Sequence, residues 1–223
     1  LFFPLRDENP TSHAAWVTGI LIFMNAVAFL IQLFGPYSPE SVVYAFGLIP
    51  ERLFSEAAAS QFSPGWTLLS SMFLHGDILH LGGNLLYLWI FGNNIEDILG
   101  HGRFFFLYFA SGLGGHALHV LTNSSSSVPT IGASGAIAGI LASYLIQFPH
   151  ARVLSLLFLG FFVRTVMVPA SLVIGAWFLL QLLSGVVSLG EVAKGGVAWF
   201  EHIGGFLSGL ILFPILRRRR TSS

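Results

Sequence analysis

The chain has no cysteine among its 223 residues, and Asp, Glu, Lys and Arg together make up only 9%. The missing cysteine excludes disulfides and thiolate metal sites and leaves the redox compartment undetermined. The shortage of charge excludes an ordinary soluble domain, in which roughly 25% of residues are charged. Ten basic residues are balanced by ten acidic ones, so no positive excess points to nucleic acid. No cleavable signal peptide is read at the start: residues 1–12 hold Arg6, Asp7, Glu8 and two prolines and end in no cleavage-like site. What the chain does have is apolar surface, with 54% hydrophobic residues and a mean hydropathy of +0.78. It is read as an integral membrane protein.

A membrane-crossing helix needs about 20 mostly apolar residues for roughly 30 Å of hydrocarbon. Six stretches meet this, at about 14–34, 77–95, 104–122, 132–148, 166–187 and 197–216. The expectation is an all-α bundle of six transmembrane helices. It forms a single domain over 1–223, with a core of about 14–216 and tails at 1–13 and 217–223. Trp16 anchors the first span at an interface. Residues 35–66 carry Pro36, Pro50, Pro64, Glu40, Glu51, Arg52 and Glu56, which preclude a span. A segment of that length has structure or function of its own. Its Leu48, Ile49, Leu53 and Phe54 are expected to pack on the bilayer surface. With six spans, Arg6, Arg103, Arg152, Arg164 and Arg217 to Arg220 fall on the side of the termini, and only Arg52 and Lys194 on the other. Eight against two puts both termini in the cytoplasm by the positive-inside rule, with a bacterial inner membrane as the expected location. The terminal arginines also favour anionic lipid.

This orientation places the starts of the second, fourth and sixth spans in the outer half of the membrane, and each start carries polar side chains. Ser134 lies near the start of the fourth span, and His202 about six residues into the sixth. An ionisable residue inside a span is costly and is a functional hypothesis by default. Gly205 and Gly209 share a helix face with His202, while Gly135 and Gly139 follow Ser134 at matching spacing. Small-residue faces let helix backbones approach closely. Close approach is what a Ser–His pair needs, with Ser134 as nucleophile and His202 as general base. His80 and Asn84, four apart on the second span, are candidate donors to an oxyanion, with the Ser134 backbone N–H as a third. Interhelical hydrogen bonding is their plainer role.

No third acid is apparent. Glu201 adjoins His202 but points elsewhere on the helix and is expected to face the interface. Asp77 can reach His80. His116 and His119 are read as structural hydrogen-bonding groups: the chain has no His-Glu-x-x-His and no metal or other cofactor is expected. His13, His75, His101 and His150 fall at span ends or in loops.

At this point the residues carry a family resemblance. Ser71-Met72-Phe73-Leu74-His75, His80-Leu81-Gly82-Gly83-Asn84, Phe91-Gly92-Asn93-Asn94-Ile95-Glu96-Asp97, Gly132-Ala133-Ser134-Gly135 and His202-Ile203-Gly204-Gly205 with Gly209 together resemble the rhomboid intramembrane serine proteases in order and spacing. The resemblance implies a six-helix core, a Ser134–His202 dyad, and His80 with Asn84 at the oxyanion. The substrates would be single-span membrane proteins cut in or near their transmembrane segments, entering sideways near the second and fifth spans from the lipid bilayer. It also implies a first loop, here 35–66, lying partly in the membrane. The chain departs from some members at Ala138, where they place a Tyr that stacks on the histidine, and it lacks an evident Trp-Arg pair in the first loop, although Arg52 is present. Two other classes stand beside this one. A catalytically silent relative that binds membrane clients for quality control would lack the serine or the histidine. A small transporter would show paired broken helices, and no convincing repeat is present. Nothing in the sequence sets an oligomeric state.

Overall fold

The first long helix, α1 (Trp16–Phe34), starts from Ala15, which offers no capping side chain. Its first N–H groups are satisfied from another part of the chain. Glu96, buried at 1% exposure, accepts from the backbone N–H of Val17 (2.8 Å) and of Thr18 (2.7 Å), and from the Thr18 hydroxyl (2.7 Å). A carboxylate at a helix N-terminus meets both the orphan donors and the positive end of the dipole. Neighbouring Asp97 likewise accepts from the N–H groups of Ser12 and His13. The acidic pair therefore fastens the entry of α1 to the second helical rod.

The structure, a computed structural model, describes residues 2–54, 64–159, 162–188 and 198–217. Glu56, Lys194 and Arg218 to Arg220, which entered the charge and loop expectations, lie outside the described residues. After α1 come a short α2 (Pro39–Phe46), a 3-10 turn (Pro50–Leu53), α3 (Pro64–Ser70) and a second 3-10 turn (Ser71–Phe73). The second rod is α4 (Ile78–Tyr87), a π segment (Leu88–Gly92) and α5 (Asn93–Leu99). It closes at Gly100, whose φ of +77° suits glycine. Then follow α6 (His101–Thr122), α7 (Ser134–Gln147), α8 (Ala170–Ser188) and α9 (Trp199–Leu216).

Among the described residues four helices, α1, α6, α8 and α9, are long and apolar enough to cross a membrane alone. Of the two other expected spans, the second contains the π segment, and the fourth is a 14-residue helix.

The centre of the bundle is α6, α7 and α9, packed at backbone distance. A methyl group at Gly205 would meet the Gly135 carbonyl oxygen, and one at Gly209 would meet that of Gly139. On the other side, a methyl at Gly204 would lie 2.6 Å from the Gly114 carbonyl oxygen. Lipid tails offer no hydrophobic drive for helix association, so close backbone packing supplies the attraction.

The structure corrects the all-α expectation. Residues read as a tail and a connection form a three-stranded antiparallel sheet, ordered β1 (Phe2–Asp7), β2 (Arg152–Leu159), β3 (Phe162–Pro169). Val153 pairs with Val168, and both are buried. The apolar end of β3, residues 166–169, is what hydropathy merged into the fifth span; the helix starts only at Ala170. A short apolar strand and a span entrance are alike in hydropathy. Arg6, Arg152 and Arg164 lie in this sheet. Arg103 donates to the Leu216 carbonyl and Arg217 to Gln147, at the C-terminal ends of α9 and α7.

Beside the sheet, Asp7 accepts from the Tyr144 hydroxyl and the Asn94 amide, each at 2.7 Å. Partial burial raises its carboxyl above the usual 3.8, against the pull of those hydrogen bonds. A carboxyl raised in the folded state favours its neutral form, so its contribution is present at low pH and is lost as pH rises through the raised value. Asp7→Asn is therefore expected to gain thermal stability over the wild type at neutral pH, with the gap closing as pH falls below the carboxyl range. Melting curves of both proteins across that range test this; a gap independent of pH would contradict it.

The loop expectation is also corrected. Leu48 and Ile49 are buried in the protein, at 0% and 3% exposure, and do not lie on the bilayer surface, whereas Phe54 is exposed. Leu48 exchanges two backbone hydrogen bonds with Thr130 (3.0 and 2.7 Å). The first loop is thereby stitched to the turn that precedes Ser134.

Candidate active site

Ser134 is the first residue of α7, so its N–H is among the four that a helix leaves unpaired at its start. Gly132, two residues earlier, has φ of +130°. A methyl there would lie 2.9 Å from His80 Nε2 and 3.5 Å from Ser134 Oγ. Glycine is thus required both by the backbone angle and by the approach of the imidazole.

Across the α7–α9 contact, Ser134 Oγ lies 2.7 Å from His202 Nε2. His202 is 9% exposed. Its other nitrogen, Nδ1, is 2.7 Å from Gln181 Oε1 on α8. An amide oxygen only accepts, so Nδ1 carries the proton and Nε2 presents its lone pair to the serine. That is the tautomer a general base requires. The sequence reading missed Gln181. Its signal was a lone polar amide in a span otherwise free of strongly polar side chains, the kind of position that marks function in membranes. Gln181→Leu removes this one hydrogen bond and is expected to slow the proposed reaction about tenfold, the equivalent of roughly 1–1.5 kcal/mol. The cleavage rate of purified variant against wild type measures it, and an unchanged rate would count against the role.

The position left open by Ala138 is answered by tryptophans. Trp177 of α8 and Trp199, one turn before His202, flank the imidazole with centroid separations of 5.8 and 6.4 Å. Ala138 itself is fully buried.

On α4, Asp77 caps the helix, accepting from the backbone N–H of Leu79 and of His80 at 2.8 Å each. Its carboxylate meets the backbone and not the imidazole. The Gly76 N–H donates to His80 Nδ1 at 3.4 Å, which leaves Nε2 as the protonated nitrogen, on the side of Gly132 and Ser134. Asn84 Nδ2 is 2.9 Å from Nε2 of His75. His75, read from sequence as a loop residue, is fully buried. It also sits edge-on to His80, with centroids 5.0 Å apart, so it supports both side chains. Its place two residues before the N-cap Asp77 was the available signal.

Ser134, His202, His80 and Asn84 line one cavity of about 610 Å³, whose wall also includes Tyr87 and Trp177. The volume suits a segment of peptide. Glu201 also lines it, whereas His116 and His119 do not. His116 contacts the Ser71 hydroxyl at 3.2 Å and His119 the Thr130 hydroxyl at 2.8 Å, both as buried side chains. Glu201, expected at the interface, is buried at 1% exposure between α6 and α7. Glycines at 115 and 135 open the space it fills.

Fold and site together define a multi-pass membrane protein whose helices bring a serine and a histidine into contact inside a cavity. The chain belongs to the rhomboid family: the Rhomboid domain model matches residues 63–219. RHOMBOID-like protein 2 of Arabidopsis thaliana is 35% identical across 96% of this chain and 71% of its own length. Rhomboid protein 1, mitochondrial, of Saccharomyces cerevisiae is 31% identical across 65% of this chain, and the rhomboid protease GluP of Bacillus subtilis is 34% identical across 52%. The match spans only 40% of the yeast protein's length and 21% of the Bacillus protein's.

Proposed function

We propose that this chain is an intramembrane serine endopeptidase that cleaves single-span membrane proteins in or near their transmembrane segments. The observation that carries the reading is the 2.7 Å contact of Ser134 Oγ with His202 Nε2 inside a cavity among apolar helices. The hydroxyl attacks the scissile carbonyl carbon while its proton passes to Nε2. The carbonyl oxygen takes the negative charge and is met by the Ser134 N–H, His80 Nε2–H and the Asn84 amide. Gln181 Oε1 stabilises the imidazolium. Collapse breaks the C–N bond, and the same proton goes to the leaving amine. Water then attacks the acyl-serine with His202 again as base. Donors fixed in place before the charge develops are the largest single source of acceleration in acyl transfer.

Six crossings belong to this proposal: α1, the 78–99 rod, α6, α7, α8 and α9. At 1.5 Å per residue α7 is about 21 Å long, so it begins below the membrane surface. Ser134 then lies within the bilayer thickness, and the polar cavity supplies the water that hydrocarbon lacks. The sheet and the termini lie on the positively biased side. The names of the relatives include mitochondrial proteins, so assignment to a bacterial inner membrane is not retained.

The test is purified protein in liposomes, given a panel of single-span substrates and a fluorophosphonate probe. Labelling of Ser134 with cleavage of at least one substrate is expected. Absence of both, in protein that melts cooperatively, would instead favour a silent client-binding relative.

A further inference from the structure

His116 and Glu201 form a buried acid–imidazole pair that the proposed chemistry does not use. His116 is 0% exposed and Glu201 1%. His116 Nδ1 lies 3.5 Å from Glu201 Oε1, and neither atom finds a hydrogen-bond partner among the described residues. Among the described residues His116 is the ion-pair partner of Glu201. A lone charge on either group would be strongly penalised in such a place. The low-cost arrangement is one proton held between them, so that the pair is neutral as a whole. Whichever of the two carries it, His116 Nε2 remains protonated and donates to the Ser71 hydroxyl at 3.2 Å. The Ser71 carbonyl in turn accepts the Gly132 N–H at 2.9 Å. Gly132 is the residue whose backbone makes room for His80 beside Ser134. A continuous polar path therefore runs from α9 through α6 to the turn that feeds α7.

Its effect on the site follows from helix geometry. Glu201 and His202 are consecutive on α9, about 100° apart around the axis. Glu201 is wedged between two glycine positions: a methyl at Gly135 would lie 2.9 Å from its Cγ, and one at Gly115 would lie 3.1 Å from it. α9 cannot turn about its axis without dragging this side chain out of its slot. On the basis of the protease reading, we infer that Glu201 is a positioning residue: by pairing with His116 it fixes the rotation of α9 and so aims the His202 imidazole at Ser134.

The test compares Glu201→Gln, Glu201→Ala, His116→Ala and the double alanine variant in liposomes. The amide of Gln keeps the shape and donates to a neutral Nδ1, so Glu201→Gln is expected to retain kcat within about threefold, less than the weight of one hydrogen bond. Glu201→Ala is expected to lose kcat by about tenfold to a hundredfold with little change in KM, the scale of a displaced reacting group. The double variant should be no slower than the slower single one, because the two residues act as a unit. Imidazole 15N NMR gives a reading independent of turnover: the His202 ring signals, assigned by their loss in His202→Ala, should shift in Glu201→Ala and stay in place in Glu201→Gln. Unmoved His202 signals in Glu201→Ala, or a Gln variant as slow as the Ala variant, would overturn the inference. If the wild type neither cleaves nor labels, the protease reading fails by itself. The NMR comparison still decides whether Glu201 aims His202.

Discussion

Ser134→Ala is expected to lower kcat/KM for a single-span substrate by about 10⁴-fold or more, and His202→Ala by a similar factor, with the double variant no slower than either. The near-equality is the informative part. If His202 acts by taking the Ser134 proton, removing the base or the nucleophile disables the same step, and the losses do not add. The contact of 2.7 Å and the Nδ1 hydrogen bond to Gln181 leave the imidazole one lone pair, aimed at the hydroxyl. Cleavage measured in liposomes, alongside fluorophosphonate labelling, reads both variants. Cleavage that survives Ser134→Ala would sink the mechanism. A His202→Ala protein that still labels at the wild-type rate would show that another group activates the serine.

The second large effect is expected at the oxyanion side chains. Asn84→Ala and His80→Ala should each lower kcat by about 10²-fold, in the range found when one oxyanion donor is removed. KM should move little, since the charge they meet develops only after attack. The competing role, as polar glue between helices, predicts the opposite pattern: a lower melting temperature with normal turnover in the molecules that remain folded. Asn84 is 8% exposed and bonded to His75, so some loss of stability accompanies its removal in either case. Turnover per labelled active site separates the two. His80 is the cleaner probe, because among the described residues its side chain takes a hydrogen bond from the Gly76 N–H alone and its Nε2 faces the nucleophile.

Long apolar runs announced α1, α6, α8 and α9 because each must satisfy its backbone internally and cover itself with hydrocarbon. The sheet was less legible. Strand β3 ends in apolar residues that hydropathy cannot separate from the start of α8, and β1 is too short to stand apart from a tail until its partner β2 is beside it. The first loop was misread in the same way. Leu48 and Ile49 are apolar, and composition alone does not say whether apolar side chains meet lipid or protein. Glu201 is expected at the interface because it adjoins His202 and points elsewhere on the helix. Its partner lies 85 residues away on α6, and only the fold brings them together.

The sequence by itself determined that this is a membrane protein, and that Ser134, His202 and His80 sit near the starts of their helices, with Asn84 one turn after His80. Those facts follow from local properties: hydropathy, helical periodicity and the spacing of glycines. The tertiary structure decided that Gln181 orients His202, that Trp177 and Trp199 flank it where some relatives use a tyrosine, that His75 supports Asn84, and that Glu201 is paired inside the core. These depend on which faces of distant helices meet. Helix–helix contact in a bilayer is set by close packing of small residues across the whole interface, and no single segment carries that information.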